Sequence, residues 1–163
     1  GSVWLPTAYA ALKGLAAYGY FGEARTAASK LLEHMYRTYT DYTPHTIWEC
    51  YNPEEYKPAT TEELGDSIVR KDFCGWSALG PISVYIEFVL GFHTVDAFEK
   101  TVKWAKPNGI KGKIGIKNLK FGNIVTDIEA DGENCTVISN NAYTLEINGK
   151  NYKIEAGENK FTL

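Results

Sequence analysis

Trp48, Glu49 and Tyr51 lie close together in the stretch Thr46-Ile47-Trp48-Glu49-Cys50-Tyr51-Asn52-Pro53. A carboxylate of this kind can take a proton from water, and aromatic rings beside it give flat apolar contact. That combination suits the cleavage of sugars. A second motif, Asp72-Phe73-Cys74-Gly75-Trp76-Ser77, follows downstream. The segment from about Tyr42 to Phe73 shows neither strand nor helix periodicity. A connection of that length inside a compact domain is uncommon, and is usually functional or disordered. Its aromatic residues favour the ordered reading.

The elements that must position these motifs come from the rest of the chain. Trp4 to Tyr20 is apolar nearly all round (Trp4, Leu5, Ala8, Tyr9, Ala11, Leu12, Leu15, Ala16, Tyr18), which predicts a helix buried on most sides. Pro6 suits its first turn, and Gly19 and Gly22 bracket its end. From Glu23 to about Tyr39, apolar residues recur at i, i+3, i+4, with Arg25, Lys30, Glu33 and Arg37 opposite. This predicts a one-sided helix with a wet back. Thr60-Thr61-Glu62-Glu63 and Gly65-Asp66-Ser67 read as turns or a short helical turn. Ser77 to Phe92 predicts another helix apolar on nearly all sides, with Pro81 in its first turn and Gly91 near its end. Glu87 is its one carboxylate, expected to be paired or at a rim. Three helices alone cannot fully bury two all-apolar ones. A double ring of helices can, so the chain reads as a fragment of something longer.

From about Phe98 the period changes to two. Tyr143, Leu145 and Ile147 alternate with polar residues, Asn148-Gly149 signals a two-residue hairpin turn, and Tyr152 and Ile154 continue the pattern. Further strands are expected near Lys113–Ile116, Leu119–Phe121, Ile124–Glu129 and Cys135–Ser139. The expected class is α+β in two parts, residues 1–95 and 96–163, the second an antiparallel β-sandwich. Its aromatics share alternate positions with the aliphatics and read as core.

Composition narrows the function classes. Hydrophobic content of 44% and charged content of 23% over 163 residues describe an ordinary globular protein. Net charge is -3 with no basic run, which argues against a nucleic-acid partner. No apolar run is long enough for a bilayer, and no signal-peptide pattern is present, so no membrane partner is expected. Cys50, Cys74 and Cys135 lack metal-ligand spacing and make no even disulfide set, and His34, His45 and His93 are scattered. No metal and no cofactor are expected. Each Cys reads as a small buried or half-buried side chain. A Cys50–Cys74 bridge is conceivable because both flank the motifs. Gly1-Ser2 reads either as a cloning scar or as the middle of a motif.

The motifs resemble a family. Val3-Trp4-Leu5-Pro6 leading to Gly14-Leu15 and Tyr18-Gly19 is similar to a late inner helix of the six-hairpin glycosidases, that is, the trehalases, the processing α-glucosidases and their bacterial relatives. Trp48-Glu49-Cys50-Tyr51-Asn52-Pro53 resembles the Glu-x-Tyr-Asn-Pro stretch that carries the general base in the α-glucosidase branch, and Asp72-Phe73-Cys74-Gly75-Trp76-Ser77 resembles the Phe-x-Trp-Ser/Thr signature that follows it and opens the next inner helix. The match covers roughly residues 3–92, with the motifs in order. The β segment resembles the small C-terminal sandwich of bacterial members. The resemblance implies the last helices of an (α/α)6 toroid, an inverting hydrolase of α-linked sugars, and Glu49 as general base. It also implies an oligosaccharide or disaccharide substrate. The general acid, an Asp on an earlier part of the family's barrel, has no counterpart in this chain. By analogy the parent would be periplasmic or secreted.

Each candidate has a plainer reading. Glu49 could be a solvated or salt-bridged loop carboxylate. Trp4 and Trp76 divide between core and sugar contact, and Tyr51 and Trp48 are sugar-contact candidates beside Glu49. Asp72 reads best as a helix cap. Arg70 and Lys71 read as solvated charges. The alternative function is a non-catalytic carbohydrate-binding or structural module, which would carry spare aromatics on the sandwich surface. Truncation of a ring would leave the helices next to the remainder of the parent barrel, or self-associating through their exposed faces.

Overall fold

The computed structural model describes residues 1–61 and 67–163. The turns expected at Glu62-Glu63 and Gly65-Asp66 lie outside them. The chain is an α+β protein in two compact units, Gly1–Val89 and Leu90–Leu163.

The first unit is helical. α1 (Leu5–Ala17) carries Pro6 in its first turn, where no intrahelical N–H is needed. It stops at Gly19 (φ +83), where the Gly19 N–H donates to the Ala16 carbonyl and the Tyr20 N–H to the Leu15 carbonyl. This paired arrangement requires a left-handed residue, and glycine takes it without steric cost. Gly22 is not part of that stop, because α2 (Phe21–Asp41) has already begun. α2 buries Ala24, Ala28, Met35 and Thr38 and exposes Lys30, Glu33 and Arg37, whereas Arg25, expected on the wet face, is half-buried with its Nε donating to the Val89 carbonyl at 3.3 Å. The connection that follows contains a two-stranded ribbon, β1 (Thr60–Thr61) and β2 (Ser67–Ile68), which the sequence pattern did not disclose.

α3 runs Trp76–Val84, so Pro81 sits inside it rather than in its first turn. Its ring removes the amide hydrogen that would have bonded the preceding turn. The expected helix to Phe92 ends early: Tyr85–Val89 is a π-helical turn, and a strand opens at Phe92. Glu87, on that turn, accepts from the Tyr9 hydroxyl at 2.7 Å and from Lys13 Nζ at 3.1 Å. Burial, then Glu87 itself, pushes the Tyr9 pKa up to about 12. Leu12, Ala24, Ala28, Val84 and Phe88 form one apolar core. Gly80 lies where α3 crosses Leu5, and a Cβ there would oblige the end of the Leu5 side chain to move.

α1 and α3 do not bury all their apolar surface within the unit. Tyr18 (84%), Leu79 (69%) and Ile82 (58%) are widely exposed.

The second unit holds β3 (Phe92–Asp96), β4 (Thr101–Trp104), β5 (Lys113–Phe121), β6 (Ile124–Asp131), β7 (Asn134–Ser139), β8 (Tyr143–Ile147), β9 (Lys150–Ile154) and β10 (Gly157–Thr162). They form two sheets, β10-β7-β6-β5 and β3-β4-β8-β9. Pairing is antiparallel throughout except β4 with β8, which is parallel. Alternation along β6 buries Ile124, Thr126, Ile128 and Ala130. Across the sandwich the Tyr143 and Thr126 hydroxyls lie 3.0 Å apart, and the Phe121 and Tyr143 rings meet edge to face. Burial pushes the Tyr143 pKa up to about 12.

The two strands expected at Lys113–Ile116 and Leu119–Phe121 are one strand with a bulge. Asn118 (φ +54) absorbs it, its N–H donating to Asp127 Oδ1 at 2.7 Å. Asn148-Gly149 makes the β8–β9 turn with both residues at positive φ. β3 is additional to the expected strands: Phe92 continues an apolar run that reads as helix, and β4 is too short for its alternation to stand out. The Phe92 ring stacks on Trp104 at 4.7 Å.

Candidate active site

Glu49 is held from both sides of its main chain. Its N–H donates to the Arg70 carbonyl at 3.0 Å. Its carbonyl accepts from Trp76 Nε1 at 2.9 Å and from Ser77 Oγ at 3.2 Å. Neighbouring bonds extend the clamp. Tyr51 exchanges two backbone hydrogen bonds with Val3, the Ala59 N–H donates to the Cys50 carbonyl, and the Phe73 N–H donates to the Ile47 carbonyl. Residues 47–51 therefore lie between the start of the chain and the 69–73 return. Asn52 closes the turn after them, its Oδ1 accepting from the Glu54 and Glu55 N–H groups at 2.9 Å each.

The side chains divide by burial. Trp48, Cys50 and Tyr51 are fully buried in a core with Leu5, Met35, Ala59 and Val69. The Trp48 N–H donates to the Tyr51 hydroxyl oxygen at 3.3 Å, and burial raises the pKa of Tyr51 and of Cys50. Glu49, between them, keeps 13% of its side chain exposed, and its Oε2 lies 3.7 Å from Arg70 Nε.

Trp4 and Trp76 are more than a third exposed, with ring centroids 6.0 Å apart. Trp4 precedes α1 and Trp76 opens α3, so both sit at helix N-terminal ends. The Phe73 ring packs 4.7 Å from Trp76. Gly75 permits this fold-back, since a Cβ there would meet the Phe73 ring at 2.6 Å. Beside Trp76 an apolar groove of about 220 Å³ runs over Leu5, Pro6, Tyr9 and Leu79. The structure thus links Glu49 to Trp76 directly and Trp4 to Trp76 by their rings. It places the Trp48 and Tyr51 rings in the core.

Asp72 does not cap α3. Gly75 occupies the cap position without a side-chain hydrogen bond, while Asp72 (φ +53) accepts from the Thr46 hydroxyl. Asp72 and Thr46 instead pin the two motifs together. Arg70 pairs with Glu49 despite reading as a solvated charge. The signal that could have found it was the β-branched pair Ile68-Val69 just before Arg70, which marks a short extended segment. Cys50 and Cys74 are both free. Among the described residues, no group of three His, Cys, Asp or Glu side chains gathers as a metal cluster.

A family model described as Trehalase matches residues 2–89. The chain belongs to the trehalase family. The match takes in Trp4, the Glu49 loop, Trp76 and α3. This trehalase-family chain is also 30% identical over 112 residues to an uncharacterised protein of Borreliella burgdorferi, a stretch covering 66% of the chain and 23% of that protein. It is similar to a solved structure described as a kojibiose phosphorylase from the human microbiome, at 14% identity and a TM-score of 0.40. That match covers 53% of the chain and 12% of the other. The chain therefore spans less than a quarter of the length of either relative.

Proposed function

We propose that the helical unit, residues 1–89, is the C-terminal segment of an (α/α)6 glycosidase barrel and that the second unit, residues 90–163, which takes in β3 and so begins before the expected boundary at 95/96, is its β-sandwich accessory domain. The whole enzyme hydrolyses α-linked glucosides or related sugars with inversion, and this chain carries the general base, Glu49. Family membership supports a saccharide substrate. The observation that carries the reading is the state of Glu49: a carboxylate with little exposure, clamped at both main-chain groups and bonded through its carbonyl to the exposed Trp76.

Inversion needs two carboxyl groups roughly 6.5–9.5 Å apart, one protonating the leaving oxygen and one activating water. Glu49 takes the second role. The first belongs to a part of the barrel outside this chain, so the chain alone is not a competent hydrolase. Trp4 and Trp76 offer ring faces to the sugar. Trp48 and Tyr51 serve the base from behind, by fixing the loop that carries it. The remainder of the barrel covers the exposed apolar faces of α1 and α3, which otherwise self-associate.

A non-catalytic carbohydrate-binding module is the weaker reading. Such a module presents several aromatic rings on one sheet face. In the second unit Phe92, Trp104, Phe121 and Tyr143 are buried, Tyr152 stacks on Phe161, and Phe98 alone among its aromatic rings is widely exposed. The test is turnover of an α-glucoside by the longer protein and its Glu49→Gln variant. Loss of turnover in the variant supports the base assignment, and near-normal turnover removes it.

A further inference from the structure

Glu49 and Arg70 face each other because their main chains are paired. The Glu49 N–H bonds the Arg70 carbonyl, and the flanking Val69, itself buried, donates its N–H to the Ala59 carbonyl. A second bond, from the Phe73 N–H to the Ile47 carbonyl, lies two residues back along one segment and three residues on along the other, with Asp72 (φ +53) absorbing the extra residue. The same two residues that share this main-chain bond bring Arg70 Nε to 3.7 Å from Glu49 Oε2. Among the described residues, Asp72 accepts from the Thr46 hydroxyl.

We propose that Arg70 is a positioning residue for the candidate base: its guanidinium holds the Glu49 carboxylate in the orientation from which it addresses water. The proposal rests on Glu49 being the base. A role in stability is the competing explanation, and magnitudes weigh against it. The Arg70 side chain is 75% exposed and the pair is long at 3.7 Å, so solvent screens much of what it adds to folding. A pair so placed does little for the fold. It can still matter for the reaction, because a carboxylate misdirected by about 1 Å can lose up to about 10²-fold in rate.

Kinetics of the longer protein on p-nitrophenyl α-glucoside and trehalose, with Glu49→Gln, Arg70→Gln and Arg70→Lys, test the proposal. Arg70→Gln is expected to lower kcat by about 10-fold with KM within about 2-fold, and Arg70→Lys to recover most of it. In the Glu49→Gln background, Arg70→Gln should cost nothing further, because its effect passes through Glu49. Unchanged kcat in Arg70→Gln beside an inactive Glu49→Gln overturns the positioning role and leaves the base standing. A raised KM at constant kcat overturns it in favour of direct sugar contact. Full additivity of the two substitutions also overturns it. Activity that survives Glu49→Gln overturns the base reading instead, and the positioning role falls with it. A readout free of turnover is the Arg70 Nε–H resonance of the chain: it should shift on Glu49→Gln, and an unmoved signal removes the pair.

Discussion

The indole Nε1 of Trp76 donates to the main-chain carbonyl of Glu49 at 2.9 Å, joining residues 27 positions apart. The bond fixes the loop that carries the candidate base to the first residue of α3, whose ring is exposed. Trp48, next to Glu49, is the opposite case. It is buried, and its Nε1 has no partner among the described residues.

The two tryptophans should therefore respond differently to substitution. Trp76→Phe keeps a ring and loses a hydrogen bond, so stability should fall by about 1 kcal/mol. Trp48→Ala empties a core site and should cost about 3–5 kcal/mol. Trp4→Ala, at an exposed ring, should leave stability within about 1 kcal/mol while weakening sugar binding by the longer protein. Urea denaturation and calorimetric titration read the two effects. Equal stability losses at Trp48 and Trp4 would contradict this division.

His34 should make the first unit sensitive to acid. Its ring packs on Tyr51 and Tyr56, and Arg37 lies over Tyr56. Burial lowers its pKa from the ordinary 6.5, against a smaller opposing effect of a hydrogen bond with the Glu55 backbone. A group whose pKa falls on folding binds fewer protons in the folded state, so stability rises with pH across the window. The contribution is intact above about 6.5 and drains as pH falls from there toward the lower folded value. Thermal melts from about pH 7.5 to 5 should show a steeper loss in wild type than in His34→Gln, by at most about 1.4 kcal/mol per pH unit. Parallel curves would remove His34 as the cause.

Gly115 lies in β5 where a Cβ would meet the Ile128 carbonyl oxygen and approach the Glu129 Cα at 2.9 Å. Both obstacles are backbone, so neither can rotate away. Gly115→Ala should destabilise the second unit by about 1–3 kcal/mol. Chemical denaturation followed by Trp104 fluorescence should show a lower midpoint with an unchanged slope. A wild-type midpoint would mean the β5–β6 pair adjusts freely.

Leu79, Ile82 and Tyr85 follow one another along an exposed face that nothing in the unit covers. Without the rest of a barrel, the chain should self-associate as its concentration rises. Sedimentation velocity across a hundred-fold concentration range reads this. A single monomer species throughout would contradict it.

How much of this was legible in the sequence depended on whether the signal was local. α2 could be read from its own period, and the β8–β9 hairpin from Asn148-Gly149 and the alternation around it. β3 was hidden because Phe92 continues the apolar run of Ile86, Phe88 and Leu90, and period cannot separate a buried helix end from a buried strand. Asp72 looked like a cap because caps are recognised by residue type, whereas its actual partner, Thr46, is remote in sequence. For Arg70, the extended segment is locally legible in Ile68-Val69, but its partner is not, because the bond from the Glu49 N–H to the Arg70 carbonyl joins residues 21 positions apart. The motifs announced Glu49 and Trp76 individually, but the bond between them is long-range.

The most direct test of the account is the stereochemistry of the product. Water activated by Glu49 attacks the anomeric carbon from the face opposite the general acid, so the first-formed sugar should have inverted configuration. Proton NMR of the longer protein turning over an α-glucoside, followed within the first minutes, reads that anomer before mutarotation. Wild type should release the β-anomer, and Glu49→Gln should show a kcat at least about 10²-fold lower with substrate binding retained. A first-formed α-anomer, or near-normal kcat in Glu49→Gln, would contradict it.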